Sequence, residues 1–230
     1  MKVEILEFVE GARNAKGVAV IIDVFRAFSV ACYAIDSGAV RIIATAEVSE
    51  ALKLKTTYKN CVLVGERDEK KIPGFDFGNS PTEIIKADLS GKTVIQTTTA
   101  GTLGLINAVH ADAVLTGSLV NEGAVVNYIK AINPDQVSLV AMGYRATNSA
   151  EEDLLCAEMI AGELKNEKFV SHTRIADLQN SSGKRFFNPA NIDFSPPTDF
   201  FLCTMVNRFD FVLKATRRFD GNIDLMKIEL

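Results

Sequence analysis

The stretch Val18-Ala19-Val20-Ile21-Ile22-Asp23 is an apolar run, rich in β-branched residues, that ends in an acid. Five further runs of this kind follow along the chain, at residues 40–45, 61–64, 93–97, 113–117 and 137–142. Helices are predicted between the runs, near residues 26–37, 48–58, 81–87, 101–109, 120–132 and 150–164. Strands that are apolar throughout and alternate with helices predict a largely parallel sheet covered on both faces. The expected fold is therefore α/β, with three α/β/α layers.

The regular pattern loosens after about residue 166. Residues 188–197 are rich in Asn and Pro and predict a connecting loop, followed by a short helix near 200–206. Two strands, 209–217 and 223–229, are predicted to form a hairpin around Asp220-Gly221-Asn222. We find no repeat or clear linker. The prediction is a single domain, 1–230, with an α/β core over 1–165 and a C-terminal subregion over 166–230.

Composition narrows the class of protein. Hydrophobic residues make up 47% of the 230 residues, which is typical of a globular chain. No apolar run has the roughly 18–20 residues that span a bilayer, and acids interrupt the N-terminus where a signal peptide would be apolar. The net charge of −4 argues against a nucleic-acid partner. We therefore expect a cytoplasmic protein with no membrane partner.

The inventory of soft metal ligands is small. The cysteines at 32, 61, 156 and 203 include no C-x-x-C pair, and the chain has only two histidines. A zinc site or a disulfide scaffold is disfavoured on these grounds. If a metal is used, an oxygen-ligated ion is favoured. No G-x-x-x-x-G-K-[ST] and no strand-following G-x-G-x-x-G occurs, so a P-loop or a dinucleotide-binding domain is not expected.

Polar residues collect where the predicted strands end, which is where open α/β sheets bind ligands. They include Asp23 and Arg26, Glu66, the loop with Asp76 and Asn79, the Thr97–Thr102 segment, Asn121, Arg145 and the acids Glu152 and Asp153. Each of them also has an ordinary explanation as a helix cap or a turn residue. The convergence of several acids and two arginines on one edge of the sheet is what favours a functional site.

That collection predicts phosphoryl chemistry. Clustered carboxylates repel one another unless a cation intervenes, and Mg²⁺ commonly binds carboxylates together with waters and a substrate phosphate. The run Thr98-Thr99-Ala100-Gly101 before a helix offers N–H groups and hydroxyls to an anion. Arg26 and Arg145 can each bind a phosphate, carboxylate or sulfonate through two hydrogen bonds.

The assembled motifs resemble the 2-phosphosulfolactate phosphatase family, which is associated with coenzyme M biosynthesis. The matching segments extend over roughly the first 165 residues: Ile22-Asp23-Val24-Phe25-Arg26-Ala27, Gly65-Glu66, Gly74-Phe75-Asp76-Phe77-Gly78-Asn79-Ser80-Pro81, Thr97-Thr98-Thr99-Ala100-Gly101-Thr102, Gly117-Ser118-Leu119-Val120-Asn121, and Glu152-Asp153 with Cys156-Ala157. Ala100 departs from the pattern, because many members carry Asn there.

The resemblance implies an α/β/α fold unlike that of the better-known phosphatases. It also implies Mg²⁺-dependent hydrolysis of (2R)-O-phospho-3-sulfolactate to (2R)-3-sulfolactate and phosphate. The catalytic candidates are then Asp23, Arg26, Asp76 and Glu152. The candidates for binding Mg²⁺ are Asp23, Glu66, Asp76 and Asp153. The candidates for binding the substrate are Arg26, Asn79, Thr98, Thr99, Gly101, Asn121 and Arg145.

Two other functions stay open at this point. The chain could be a phosphatase for another small phosphorylated 2-hydroxy acid, since a family match transfers less securely to the substrate than to the chemistry. It could also be a non-catalytic sensor of anionic metabolites, although a sensor has little use for several clustered acids. The sequence does not fix the oligomeric state, and a homodimer is compatible with a compact enzyme of this size.

Overall fold

The computed structural model describes residues 1–167 and 172–229. Its strands are β1 Lys2–Glu7, β2 Val18–Ile22, β3 Arg41–Ala44, β4 Cys61–Arg67, β5 Lys70–Lys71, β6 Thr93–Thr97, β7 Ala113–Gly117, β8 Gln136–Ala141, β9 Phe211–Arg217 and β10 Ile223–Glu229. Its helices are α1 Phe8–Asn14, α2 Ala27–Asp36, α3 Val48–Thr57, α4 Pro81–Ile84, α5 Gly101–Asn107, α6 Glu122–Ile132, α7 Glu151–Leu164, α8 His172–Asp177 and α9 Pro197–Cys203. Short 3₁₀ turns cover Leu119–Asn121, Leu178–Asn180, Ser182–Phe187 and Pro189–Asn191.

The ten strands form one mixed sheet in the order β1-β8-β2-β7-β9-β10-β3-β6-β4-β5. Alternate residues of β2 point to opposite faces, so Ala19 and Ile21 join one hydrophobic cluster while Val20 and Ile22 join another. Helices cover both faces. The predicted α/β fold, with its largely parallel sheet between helical layers, is confirmed.

The sheet consists of two parallel groups, β1-β8-β2-β7 and β3-β6-β4, joined by the antiparallel β9–β10 hairpin. Strand β9 pairs antiparallel with β7, and β10 pairs antiparallel with β3. The predicted hairpin is therefore confirmed. It lies inside the sheet, where it connects the two groups, and is not an appendage. As a result the sheet contains strands from both sides of residue 165.

Strand β1 and helix α1 were not predicted. The strand alternates charged and apolar residues and lies at the edge of the sheet, where it pairs in parallel with β8 (Val3 opposite Val137). It does not look like the wholly apolar central strands because only one neighbour covers it. Among the described residues, no helix has the length and apolar character needed to cross a membrane.

Helix α2 is the element that positions the site. All of its residues from Ala27 to Ile35 are buried, as expected for a helix that is apolar on every side. The Gln96 side chain on β6 donates a hydrogen bond to the Ala27 carbonyl (3.0 Å). The short segment between β2 and α2 is thereby held next to the end of β6, although these strands belong to different parallel groups.

Candidate active site

A cleft opens at the carboxyl ends of β2 and β8 from one parallel group and of β4 and β6 from the other. Its lining residues are Asp23, Phe25, Arg26, Glu66, Asp68, Glu69, Asn79, Thr99, Ala100, Gly143, Tyr144, Arg145 and Arg185. Acids and arginines dominate this set. The expectation that polar strand ends converge is therefore met for most of the chain segments involved.

Asp23 lies at the end of β2, at the base of the cleft. Its carboxylate accepts hydrogen bonds from the backbone N–H of Ala27 (3.0 Å) and of Gly101. Burial, with the nearby negative charges of Glu66 and Glu152, raises the pKa of Asp23 to about 6. A side chain at position 101 would not fit, since a Cβ there would lie 2.9 Å from the Asp23 Oδ2. The glycine therefore allows the close approach.

Glu66 lies near the end of β4 and joins three backbone segments. Its Oε1 accepts from the Thr99 N–H (2.6 Å), and its Oε2 accepts from the Thr99 hydroxyl (3.1 Å) and the Glu69 N–H (3.0 Å). These bonds fix the loop after β6 and the turn after β4 around one carboxylate. Glu66 and Asp23 are thus two rigidly held acids in the same cleft.

Glu152 and Asp153 begin α7 and lie behind the cleft, outside its lining. Asp153 accepts hydrogen bonds from the N–H groups of Val24 and Gly143, both at 2.8 Å, and so ties together the segments that follow β2 and β8. Burial raises the pKa of Asp153 well above its usual range, and the neighbouring acids Glu152 and Asp23 raise it further. Burial also raises the pKa of Glu152, against the opposing influence of Arg185.

Arg26 is buried, with 3% of its side chain exposed, and is paired with Asp199 on α9, of which none is exposed. One Nη1 contacts both the Asp199 Oδ2 and the Phe194 carbonyl at 2.6 Å, and Nη2 donates to the Glu69 carbonyl (3.2 Å). Arg26 lines the cleft as predicted. Its charge, however, is already balanced by a residue from the C-terminal part of the chain.

The threonine-rich loop after β6 already uses its N–H groups. Thr98 N–H donates to the Thr102 hydroxyl (3.3 Å), Thr99 N–H to Glu66 and Gly101 N–H to Asp23. The N–H groups that the sequence predicts to bind an anion therefore bind the protein's own carboxylates. Thr99 lines the cleft, whereas Thr98 is buried beneath it and faces Thr102.

Asn79 lies on the wall of the cleft and is almost fully buried. Its Oδ1 has no hydrogen-bond partner among the described residues. A buried amide oxygen without a partner is costly, because the protein does not replace the hydrogen bonds that water supplied. This oxygen is therefore available to a bound ligand or ion.

Two arginines, Arg145 and Arg185, lie beside the same Tyr144 ring and form the basic wall of the cleft. Arg145, which was predicted to bind substrate, follows β8 and pairs with Asp68 (2.6 Å). Arg185 belongs to the Ser182–Phe187 turn and donates to the Phe25 carbonyl (3.1 Å). The cleft thus combines the buried acids Asp23 and Glu66 with two arginines that are paired to Asp68 and Glu69.

Comparison with known proteins identifies the family of this chain. The model of the family described as 2-phosphosulpholactate phosphatase matches residues 4–216. The chain belongs to this family. A "Probable 2-phosphosulfolactate phosphatase" of Carboxydothermus hydrogenoformans is 34% identical over 222 residues, which cover 92% of each chain. Relatives of the same printed name occur in Bacillus subtilis, 31% identical over 89% of this chain and 88% of the relative, and in Caldicellulosiruptor saccharolyticus, 41% identical over 60% and 59%.

Membership in the 2-phosphosulfolactate phosphatase family confirms the resemblance seen in the motifs. Ala100, the departure from the family pattern, lines the cleft. Its methyl group supplies no hydrogen bond, so only the backbone can act at this point of the site.

Two family-motif residues that were predicted to belong to the site, Asp76 and Asn121, are absent from the cleft lining. The Asp76 carboxylate accepts from the Leu63 N–H (2.8 Å) and pairs with Lys55 (2.9 Å). It fixes the loop against β4 and α3 and does not join the other acids. Asn121 is fully buried: its Oδ1 accepts from the Ser118 N–H (3.1 Å) and its Nδ2 donates to the Phe211 carbonyl (3.4 Å). The ends of neighbouring strands lie next to each other at the edge of the sheet. The side chains that follow them can still point to either face of the sheet.

Several cleft residues were not found from the sequence. Asp68, Glu69 and Tyr144 stand beside predicted residues, and adjacency was the only signal that they offered. Arg185 and Asp199 come from the C-terminal part, where the sequence pattern is loose and no strand end marks a position. The run Lys184-Arg185-Phe186-Phe187, which joins basic and aromatic residues, is the one clue to Arg185.

The donor atoms of the cleft suit a hard cation. Among the described residues, no group of three His, Cys, Asp or Glu side chains is arranged to hold a metal by itself. Magnesium does not need one, since it usually binds one or two carboxylates plus waters and substrate phosphates. The cleft offers the carboxylates of Asp23 and Glu66 and the unpartnered oxygen of Asn79. This oxygen-only set fits Mg²⁺.

Proposed function

We propose that this protein is a magnesium-dependent phosphatase that hydrolyses (2R)-O-phospho-3-sulfolactate to (2R)-3-sulfolactate and phosphate. The observation that carries the proposal is the meeting of two buried acids, Asp23 and Glu66, with Arg26, Arg145 and Arg185 in one cleft. The family relationship supports the same reaction, because the relatives carry the name of that phosphatase.

The class of substrate follows from the acids and arginines that line this cleft. A phosphorylated sulfolactate carries a phosphate, a sulfonate and a carboxylate. Its two non-reacting acid groups match arginines, which bind such planar or tetrahedral anions through paired hydrogen bonds. Its phosphate would approach Asp23 and Glu66, where like charges repel unless a cation lies between them.

Magnesium would supply that cation. We assign its binding to Asp23 and Glu66, with the Asn79 Oδ1 available to the same ion. When bound, Mg²⁺ neutralises charge on the phosphoryl oxygens and lowers the pKa of a bound water. The threonine loop contributes indirectly, because its N–H groups hold both carboxylates in fixed positions.

Asp23 is our candidate for the proton acceptor. Its carboxylate has two oxygens, so one could bind the ion while the other accepts a proton, and Mg²⁺ bound there would lower the raised pKa of this group. In the proposed reaction a water attacks the phosphorus and the bond from phosphorus to the substrate oxygen breaks. The proton of the water passes to an Asp23 carboxylate oxygen and then to the leaving oxygen, which becomes the hydroxyl of sulfolactate. Glu152 and Asp153 lie behind Asp23, where the Glu152 charge acts on Asp23 and the Asp23 charge acts on Asp153.

The reaction is tested by measuring phosphate release by the purified protein with a panel of substrates. The panel holds phosphosulfolactate, phospholactate and phosphoglycerate, each with Mg²⁺ and with EDTA. We expect Mg²⁺-dependent release that is fastest with phosphosulfolactate. Equal rates with phospholactate would identify a phosphatase for other 2-hydroxy acids, and binding without release from any compound would identify a sensor. Release that is unchanged by EDTA would contradict the magnesium assignment.

A further inference from the structure

The two arginines of the basic wall share one aromatic ring. The guanidinium carbon of Arg145 lies 5.4 Å from the centroid of the Tyr144 ring, and that of Arg185 also lies 5.4 Å from it. Arg185 is further bordered by Phe186 (5.2 Å) and Phe25 (5.8 Å). Two cations held this close by one ring repel each other unless anions compensate them. A pair of anionic groups is therefore the natural complement of this wall.

Both compensating anions come from one two-residue turn. Asp68 and Glu69 connect β4 to β5, and both have positive φ values, 53° and 68°. Asp68 pairs with Arg145 at 2.6 Å, and Glu69 pairs with Arg185 at 3.5 Å. Two adjacent carboxylates of the chain thus occupy two neighbouring arginines of the cleft.

The backbone of this turn is fixed while its side chains can exchange partners. The Glu69 N–H donates to Glu66 (3.0 Å), and the Glu69 carbonyl accepts from Arg26 (3.2 Å). The Arg145–Asp68 pair is exposed, with 49% and 73% of the two side chains accessible. Such pairs contribute little to stability, so another anion can replace Asp68 at small cost. Arg26 cannot exchange in this way, because Asp199 holds it in a buried pair.

We propose that, when no substrate is bound, Asp68 and Glu69 occupy the places of the two non-reacting acid groups of the substrate. In the bound state the sulfonate and the carboxylate pair with Arg145 and Arg185, and the two side chains of the turn move out to solvent. The inference rests on the proposed function for the identity of the two acid groups. It makes Arg145 and Arg185 the residues that select a substrate with two acid groups besides its phosphate, and it makes the turn a competitor for them.

The test measures binding of 3-sulfolactate, which carries both acid groups and no phosphate, by calorimetry. The protein variants are Asp68→Asn, Glu69→Gln and Arg145→Ala, with Arg13→Ala as the control for loss of an arginine elsewhere on the surface. We expect Asp68→Asn to tighten binding up to about fivefold, the range set by exposed ion pairs. Glu69→Gln should also tighten binding, because it removes the acid that lies 3.5 Å from Arg185 in a pair with 20% of each side chain exposed. We expect Arg145→Ala to weaken binding roughly 10–100-fold, as for loss of charge-assisted hydrogen bonds. Arg13→Ala should bind as the wild type does.

Arg185→Ala is also expected to weaken sulfolactate binding, and Arg185→Lys guards against a folding defect because it keeps the charge beside the aromatic rings. With phosphosulfolactate as substrate, the arginine variants should show a larger rise in KM than fall in kcat, because the arginines hold substrate groups that do not react. Unchanged or weaker sulfolactate binding by Asp68→Asn and Glu69→Gln would overturn the proposal. So would an equal loss of affinity for inorganic phosphate in Arg145→Ala. Binding of sulfolactate needs no turnover. A failed phosphatase assay would therefore not decide the outcome of this binding test.

Discussion

The pair formed by Arg26 and Asp199 gives the sharpest prediction about stability. The Asp199 carboxylate accepts three hydrogen bonds from two separate segments. Its Oδ2 accepts from the Arg26 guanidinium (2.6 Å), and its Oδ1 accepts from the Ser80 hydroxyl (2.8 Å) and the Thr82 N–H (2.9 Å). Replacing Asp199 with Asn keeps the shape and removes the charge. The N–H₂ group of the asparagine then faces a hydrogen-bond donor. Arg26 is left as a buried cation without a counter-charge.

The size of the effect follows from burial. Neither side chain has appreciable contact with solvent, at 3% and 0% exposed, so water cannot replace the lost partner. Removing one partner of a buried pair costs about 3–5 kcal/mol of the free energy of unfolding. For a chain of this size each kcal/mol lowers Tm by roughly 2–4 °C, so we expect Asp199→Asn to lower Tm by roughly 6–20 °C.

The assay is thermal and urea unfolding of the wild type, Asp199→Asn and the control Glu50→Gln. The control removes an acid from the exposed Lys53–Glu50 pair on α3 (3.4 Å), which should change stability by less than about 1 kcal/mol. If Asp199→Asn were as mild as Glu50→Gln, Arg26 would not depend on Asp199 for its charge balance. The explanation of how the C-terminal part of the chain completes the cleft would then be refuted.

Two further predictions concern a buried acid and a close contact. Glu122 is fully buried, and among the described residues neither carboxylate oxygen has a partner at hydrogen-bond geometry. Burial together with Glu163 raises its pKa from 4.5 to about 7, against the opposing influence of Asn207. Because the folded state holds this proton more tightly, wild-type stability falls as pH rises from about 4.5 to about 7. Glu122→Gln should therefore exceed the wild type by about 3 kcal/mol at pH 8 and by less than about 1 kcal/mol at pH 5; equal gaps at both pH values in urea unfolding would contradict this. Gly101→Ala should lower kcat/KM by roughly tenfold or more, because the new methyl group displaces the Asp23 carboxylate from its position. Gly78→Ala, where the nearest atom to a new Cβ lies at 3.4 Å, should retain activity in the same phosphate-release assay.

Local sequence patterns predicted the strands well because the central strands are buried on both faces. Each of the six predicted apolar runs overlaps an observed strand, and the strand pair around Asp220-Gly221-Asn222 was also found. The order of the strands was beyond a local pattern. That the hairpin separates two parallel groups depends on pairings between distant segments, such as Ile223 with Ala44, and no nearby residue encodes them.

The same limit explains the candidate site. Asp23, Glu66 and Arg145 were found because each follows a recognisable strand. Asp76 was grouped with them from its motif, but its side chain bonds to Leu63 and Lys55 on another side of the loop. Arg185 reaches the cleft, and Asp199 reaches Arg26 outside the cleft lining, by tertiary packing of short turns and helices. The burial that makes their contacts strong leaves no periodic signal in so short a segment.

The measurement that tests the central claim most directly compares two aspartate-to-asparagine variants. Asp23→Asn and Asp76→Asn change the same chemical group, and both residues belong to the family motifs, but only Asp23 lines the cleft. Phosphate release from phosphosulfolactate with Mg²⁺ is measured for both, with thermal unfolding to establish that each variant is folded. We predict that Asp23→Asn loses roughly 100-fold or more in kcat, the range for loss of a general base, while Asp76→Asn stays close to the wild type. Full activity in folded Asp23→Asn would contradict the assignment of this cleft as the catalytic site.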